Sequence, residues 1–287
     1  MSVRFFAPAK LNLSLDLGPA RSDGYHEIRS VMQAVSLGDR LFVAPASTLR
    51  VENADIPAGD LVARAADVFH EATGVAPNVS IHVRKRIPIG AGLGGGSSDA
   101  ASTLRALRHL LLPTLPAEEL VAMAREIGSD VPFFLAAAPR ALAVGRGEIL
   151  SPLPAADPRF AVIAWPGVGL RTADVYHASR PGPGDATDQV LAGAERGPND
   201  LEAAARSLCP ELARLLGTAR EAGIPLQVTG SGSAAFALYA GAGEAAAALG
   251  SLKDLAPRVI LCQTLATWPW QPAAPAGGAA GRAAAAP

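Results

Sequence analysis

The densest concentration of chemistry in this chain is the run Pro88-Ile89-Gly90-Ala91-Gly92-Leu93-Gly94-Gly95-Gly96-Ser97-Ser98-Asp99. Glycine has no side chain to hold a ligand away, so the backbone here can close on phosphate oxygens with its N–H groups. Five of the seven residues from Gly90 to Gly96 are glycine; a simple flexible turn does not need that entropic cost. A helical pattern starts directly behind the run, with Ala100, Ala101, Leu104, Leu107 and Leu111 at three- and four-residue spacing up to Pro113. Its first turn adds unpaired N–H groups and the positive end of the helix dipole. Ser97 and Ser98 stand where they can cap that helix or donate to phosphate.

Three well-known phosphate loops do not fit. A Walker A loop ends in Gly-Lys-Ser/Thr, and here Gly96 is followed directly by Ser97. The spacing Gly90-x-Gly92-x-x-Gly95 matches the dinucleotide fingerprint, but Lys85, Arg86 and Pro88 separate it from the preceding strand. The region where an acidic residue should end a second strand reads as helix. The glycine lid of protein kinases joins two strands, and no H-R-D or D-F-G follows here.

Other residues could act beside such a loop. Asp130 follows a helix that stops at Gly128 and precedes the apolar run Val131-Pro132-Phe133-Phe134; it is either a helix N-cap or a working carboxylate. Lys10 and Asn12 alternate with leucines in Lys10–Leu17, a strand with the leucines inward and Lys10, Asn12, Ser14 and Asp16 on the other face. Lys10 is then a solvated lysine or a cation placed for chemistry. Tyr25 and His26 follow the turn pair Asp23-Gly24. Thr229-Gly230-Ser231-Gly232-Ser233 reads as a glycine bend between strands or as a second phosphate-facing loop. Neither cysteine has metal-ligand spacing and the histidines form no paired motif.

These residues need a frame. Strands are expected at Ser30–Leu37, Asp39–Val43, Val79–Val83 and Phe160–Trp165, and at Leu226–Thr229 and Ala234–Tyr239 around the second glycine loop. Gly59–Gly74 reads as a helix with Leu61, Ala65, Val68, Phe69 and Ala72 inward and Gly74 as its cap. Helices are also expected at 116–127, from Asn199 towards Cys209, and up to Ala222-Gly223. Arg140–Val144 and the turn Gly145–Glu148 form a hairpin, and Pro152, Pro154 and Pro158 mark a boundary. The class is α+β, with domains at 1–153 and 154–271 and a disordered Ala/Gly/Pro tail at 272–287.

The chain has 287 residues, 49% of them hydrophobic, and a net charge of −1 from 25 basic and 26 acidic side chains. That balance speaks against nucleic-acid coating or a membrane-surface role. Two cysteines fit a reducing compartment. No run of ~18 apolar residues is present and the start lacks a signal-peptide profile, so a cytoplasmic protein is expected.

The motifs together resemble the GHMP kinases. P-A-K-L-N-L-S-L-D-L is similar to the first family motif, I-P-I-G-A-G-L-G-G-G-S-S-D-A-A to the ATP loop, I-G-S-D-V-P-F-F to the aspartate segment, and T-G-S-G-S-A-A-F to the third motif. S-D-G-Y-H-E-I-R-S-V-M-Q-A-V-S-L-G-D resembles the branch that acts on a cytidine diphosphate-linked methylerythritol. The chain departs from the pattern at Pro19-Ala20-Arg21, where Gly-Arg-Arg is usual, and at Ser129, where Ala is usual.

The resemblance implies a ribosomal-protein-like N-terminal domain, a ferredoxin-like C-terminal domain, and an active site between them. It implies phosphoryl transfer from ATP, with Mg²⁺, to the substrate's 2-hydroxyl in isoprenoid precursor synthesis by the non-mevalonate route. Pro88 to Ser98 would hold ATP. Asp130 would be the base, with Lys10 beside it to offset charge developing in transfer. Asn12 would bind substrate or hold Asp130. Tyr25 would stack on cytosine, His26 would read its edge, and Tyr176 would cover the other side. Thr229, Gly230, Ser231 and Gly232 would close over the phosphates, and no protein ligand for the metal is assigned. The alternatives are a GHMP kinase for mevalonate derivatives or homoserine, against which the Asp-Gly-Tyr-His stretch speaks, and a non-catalytic sensor, against which Lys10 with Asp130 speaks.

Overall fold

The computed structural model describes residues 2–52, 60–136 and 138–269. Gly59 and the expected disordered tail at 272–287 lie outside the described residues.

The first sheet is organised by one long strand. β1 (Val3–Asn12) and β2 (Asp16–Ala20) both pair antiparallel with β3 (His26–Pro45), which runs for 20 residues. β4 (Arg50–Glu52) lies parallel to β5 (Val79–Arg84), and β5 pairs antiparallel with β3. On the other side β6 (Arg140–Gly145) pairs with β3 and continues into β7 (Ile149–Pro152). The expected break between Leu37 and Asp39 is not an end of a strand. The register of β1 on β3 shifts between Pro8 and Ala9, so the chain bulges and runs on. Gly38 is required there, because an added Cβ would lie 2.4 Å from the Phe6 ring.

Three helices pack against this sheet: α1 (Leu61–Thr73), α2 (Gly95–Leu111) and α3 (Ala117–Ile127), followed by a 3₁₀ turn at Pro132–Leu135. Asp60 caps α1 by accepting from the Val62 N–H, and Gly74 ends it at φ 70°. Its buried stripe is Val62, Ala65, Ala66, Val68 and Phe69; Ala72, expected inward, is exposed. Phe69, Phe133, Leu104 and Ile81 are among the fully buried residues of this core.

The second sheet holds β8 (Phe160–Trp165), β9 (Gln227–Val228), β10 (Ala235–Tyr239) and β11 (Arg258–Gln263) in the antiparallel order β11-β8-β10-β9. Between β8 and β9 come α4 (Thr172–Ala178), α5 (Ala186–Leu191), α6 (Glu202–Leu208) and α7 (Pro210–Glu221); α8 (Ala242–Leu252) joins β10 to β11. This order and helix placement are ferredoxin-like.

The expectation for Lys10–Leu17 changes in two ways. The strand is interrupted at Leu13–Leu15, and its polar face is not solvated: Lys10, Asn12, Ser14 and Asp16 are all buried. The second half of the chain covers that face. Asp16 accepts from the Ala186 and Thr187 N–H groups, Ser14 meets Thr187, and the Asn12 N–H donates to Thr229 Oγ1. An apolar cluster also joins the halves, with Ala9, Leu11, Val31 and Leu93 against Ala161, Ile163, Ala234 and Phe236. Among the described residues no helix is long and apolar enough to cross a membrane.

Candidate active site

A cleft of about 930 Å³ gathers Lys10, Asn12, Tyr25, His26, Asp130, Tyr176, Gly230, Ser231 and the loop from Pro88 to Ser97. Its size suits a drug-sized or nucleotide ligand. Ser98, Thr229 and Gly232 are buried behind its walls and do not line it.

The loop is built from alternate left-handed glycines: Gly90, Gly92 and Gly94 have φ of 67°, 75° and 72°. Only glycine takes this conformation without strain. Space demands glycine as well. A Cβ on Gly92 would lie 2.3 Å from the Thr229 carbonyl oxygen, and one on Gly94 would touch Lys10 and Phe134. The loop is stitched to its surroundings through the Lys10 N–H to Leu93, the Ala234 N–H to Ala91 and the Leu170 N–H to Gly90. Gly94 is the N-cap of α2, and neither serine caps the helix with its side chain. The N-terminus of a 17-residue helix is thus left for an anion.

Asp130 sits in the turn before the 3₁₀ helix, which has no side-chain cap. The capping role considered for it is therefore not the one it plays. Its carboxylate, 31% exposed, lies 3.5 Å from Lys10 Nζ. Lys10 is nearly buried and also donates to Asn12 Oδ1 at 2.5 Å. Asn12 is oriented in turn, because its Nδ2 donates to Ser30 Oγ at 2.7 Å and Ser30 donates to the Ser14 carbonyl. Gly230 packs over the Lys10–Asn12 pair, with its Cβ position about 3 Å from both. A cation is thus aimed at a half-open carboxylate beside the loop.

The aromatic residues occupy the same cleft. His26 and Tyr176 have ring centroids 6.1 Å apart. The His26 Nδ1 faces the Gly18 carbonyl at 3.2 Å; the carbonyl can only accept, so Nδ1 is the donor in this contact and Nε2 is left to a ligand. Burial, and then the charge of Asp130, raise the Tyr176 phenol pKa, so it stays a neutral hydroxyl. Tyr25 is 51% exposed, on a turn where Asp23 accepts from its N–H.

Sequence reading did not assign four carboxylate, lysine and arginine side chains of the cleft. Arg146 stacks over Tyr25 at 4.8 Å from the hairpin tip Gly145-Arg146-Gly147, whose Gly147 lies beside Asp130. Its signal was a lone arginine between two glycines. Asp60, Lys85 and Asp99 line the cleft beyond the loop, and Lys85 bridges the buried carboxylates of Asp39 and Asp99 at 2.5 and 2.7 Å. Burial works against the Lys85 ammonium, but the two carboxylates outweigh it and raise its pKa. Burial pushes Asp99 up to about 8, with Lys85 opposing and Asp39 adding to the rise.

Comparison with known proteins decides the family. The GHMP kinases N terminal domain matches residues 60–137 and the GHMP kinases C terminal domain matches 188–257. The chain is 43% identical over 257 residues to 4-diphosphocytidyl-2-C-methyl-D-erythritol kinase of Thermus thermophilus, covering 86% of this chain and 91% of that one. The chain belongs to the GHMP kinases. A similar relative with the same name, from Pelotomaculum thermopropionicum, is 40% identical over 84% of this GHMP kinase and 90% of its own length. The crystal structure of a 4-(cytidine 5'-diphospho)-2C-methyl-D-erythritol kinase superposes with a TM-score of 0.78 at 40% identity, over 91% of this chain and 99% of that one. A homoserine kinase from Cytophaga hutchinsonii shares the fold at a TM-score of 0.70 and 19% identity, over 93% of this chain and 95% of its own. This GHMP kinase thus has the two-domain α+β fold of its family, a ribosomal-protein-like domain followed by a ferredoxin-like one.

Proposed function

We propose that this GHMP kinase transfers the γ-phosphoryl group of ATP to the 2-hydroxyl of 4-diphosphocytidyl-2-C-methyl-D-erythritol, in the cytoplasm, on the non-mevalonate route to isoprenoids. One observation carries the reading: a single cleft holds the glycine loop with an open helix N-terminus, the Lys10–Asp130 pair, and the aromatic residues Tyr25, His26 and Tyr176. In this reading residues 1–153 supply the nucleotide side and residues 154–271 close over it.

ATP lies with its phosphates against the N–H groups of the loop and of α2. The cytosine stacks on Tyr25, with His26 at its edge and Tyr176 behind. Asp130 takes the proton of the 2-hydroxyl as that oxygen attacks the γ-phosphorus and the bond to the β-phosphate oxygen breaks. Lys10, held by Asn12, offsets the negative charge that gathers there. Gly230 and Ser231 line the far wall, while Thr229 and Gly232 hold that loop in shape.

Mg²⁺ enters as the ion that accompanies ATP. Among the described residues no group of three His, Cys, Asp or Glu could hold a metal. Of the oxygen donors that line the cleft, Asp99 is engaged by Lys85 and Asp60 caps α1, so Ser97 and Asp130 would face an ion held chiefly by phosphate oxygens and water. Bound there, it would draw charge from the β- and γ-phosphates.

The test is mass detection of product after incubation with ATP and a panel of alcohols: the cytidyl substrate, mevalonate and homoserine. The cytidyl substrate alone should gain a phosphoryl group. Product from mevalonate or homoserine instead would overturn the substrate assignment, and no product from any of them would overturn the enzyme.

A further inference from the structure

The phosphate loop has two feet, and one buried carboxylate reaches both. Asp39 lies on β3 with no solvent exposure and does not line the cleft. Its Oδ1 accepts the N–H groups of Arg86 and of Ile87, the latter at 2.8 Å, immediately before Pro88. Its Oδ2 holds Lys85 Nζ, and the same Nζ holds Asp99, the residue directly after Ser98. The entry and the exit of the loop are therefore tied through one ammonium group.

We propose that Asp39 is a positioning residue for ATP: through the Asp39–Lys85–Asp99 clasp it fixes the shape of the phosphate loop without touching the nucleotide. The inference rests on the reading that Pro88 to Ser98 binds the phosphates of ATP. Fixing the backbone of each residue costs conformational entropy, and glycines lose the most freedom. A loop with five glycines cannot hold three left-handed residues by its own preferences. Its hydrogen bonds to Lys10, Ala234 and Leu170 all lie between Gly90 and Leu93. At the entry the clasp is joined by an Arg258 Nη2 bond to the Arg86 carbonyl, and at the exit by the first turn of α2; the clasp alone connects the two ends to each other. A second observation points the same way: Asp99 Oδ1 is buried without a partner, so this carboxyl is kept inside for what its other oxygen does. Burial and the neighbouring Asp39 raise its pKa, which lets Lys85 serve two acidic groups without a net buried charge.

Asp39→Asn keeps the size and the acceptor for both amides but removes the charge opposite Lys85. If the loop then holds its binding shape one-tenth of the time, apparent affinity for ATP falls about tenfold. KM for ATP should rise by about that factor, while KM for the cytidyl substrate and kcat at saturating ATP stay within about threefold. Amide hydrogen exchange at residues 90–96 should quicken in the ATP-free variant and return to the wild-type rate with saturating ATP. Asp99→Ala, which leaves Lys85 paired with Asp39 and places a strong helix former on α2, should split the two KM values in the same direction. It decides the matter if Asp39→Asn does not fold. Equal rises in both KM values, or an unchanged KM for ATP in a folded variant, would overturn the clasp. The two readings separate by calorimetry: wild-type protein that does not bind ATP refutes the phosphate-loop assignment, whereas equal ATP binding by wild type and variants refutes only the clasp.

Discussion

Asp130→Asn keeps the shape of the side chain and removes its capacity to accept a proton, so it isolates the chemical step. The worth of its partner follows from the geometry. Two unit charges 3.5 Å apart attract by roughly 1 kcal/mol in water and roughly 5 kcal/mol at the effective dielectric of a protein surface site. Asp130 is 31% exposed, so screening brings the pair to about 1–2 kcal/mol. In the transfer step that attraction passes from the Asp130 carboxylate, which takes up the proton, to the negative charge gathering on the transferred group, so Lys10→Met should lower kcat by about 5- to 30-fold. Asp130→Asn should lower it about 10²- to 10⁴-fold, the contribution of a positioned base. Since Lys10 works on the same charge, the double variant should fall within about threefold of Asp130→Asn. The assay is rapid-quench single turnover with both substrates saturating, which reads phosphoryl transfer itself. ATP binding should survive in all three proteins, because Lys10 is tied to the loop through its backbone N–H, which methionine keeps. If Asp130→Asn retains more than about a tenth of the wild-type rate, the base assignment is wrong; if the two losses multiply, the pair does not act as a unit.

Three further outcomes are expected. Tyr25→Ala should weaken binding of the cytidyl substrate about 5- to 150-fold, the value of stacking one base on one ring, and leave ATP affinity unchanged in calorimetric titration; equal losses for both ligands would rule out base stacking. Gly92→Ala forces a left-handed alanine whose Cβ would lie 2.3 Å from the Thr229 oxygen, so denaturant titration should show a loss of about 2–5 kcal/mol. The pH dependence comes from Asp99: its folded pKa, pushed up to about 8, lies above its unfolded value, so the folded chain binds the extra proton. This contribution to stability is complete below the unfolded value and is lost as pH rises through about 8. In thermal melts Asp99→Asn should therefore gain on the wild type from about pH 5 to about pH 9, and a constant difference would contradict the raised pKa.

Much of this site could be read locally. The glycine run, the helix behind it and the end of α1 at Gly74 depend on neighbours in sequence, where backbone preference is decisive. Asp130 could be located but not assigned, because a cap and a base look alike until the partner is seen. Lys10 could be placed on the polar face of its strand, but the strand alone left it open as a solvated lysine or a cation placed for chemistry. What covers it arrives from Gly94, Asp130 and Gly230, and contacts over such separations leave no mark on the periodicity of one strand. The same holds for Asp39, which local pattern places at the start of a strand; its meaning lies with Arg86, Ile87 and Lys85, more than 40 residues on. The Ala-rich helix α8 gives little hydrophobic stripe to find, since alanine occupies both its buried and its exposed faces.

The apolar cluster that joins β1 and β3 to β8 and β10 bears on how ligands come and go. Jaws that share one set of teeth roots cannot swing apart, for opening them would expose Leu11, Val31, Ile163 and Phe236 to water, at about 1.5–3 kcal/mol for each large side chain. Traffic through the cleft must use its rim instead, where Tyr25 stands 51% exposed beside the Arg146 hairpin tip. The same roots make the two halves one folding unit: neither sheet can be cut from the other without leaving a raw hydrophobic face. Fragments ending near Pro152 should precipitate when made alone, and the intact chain should unfold in a single step.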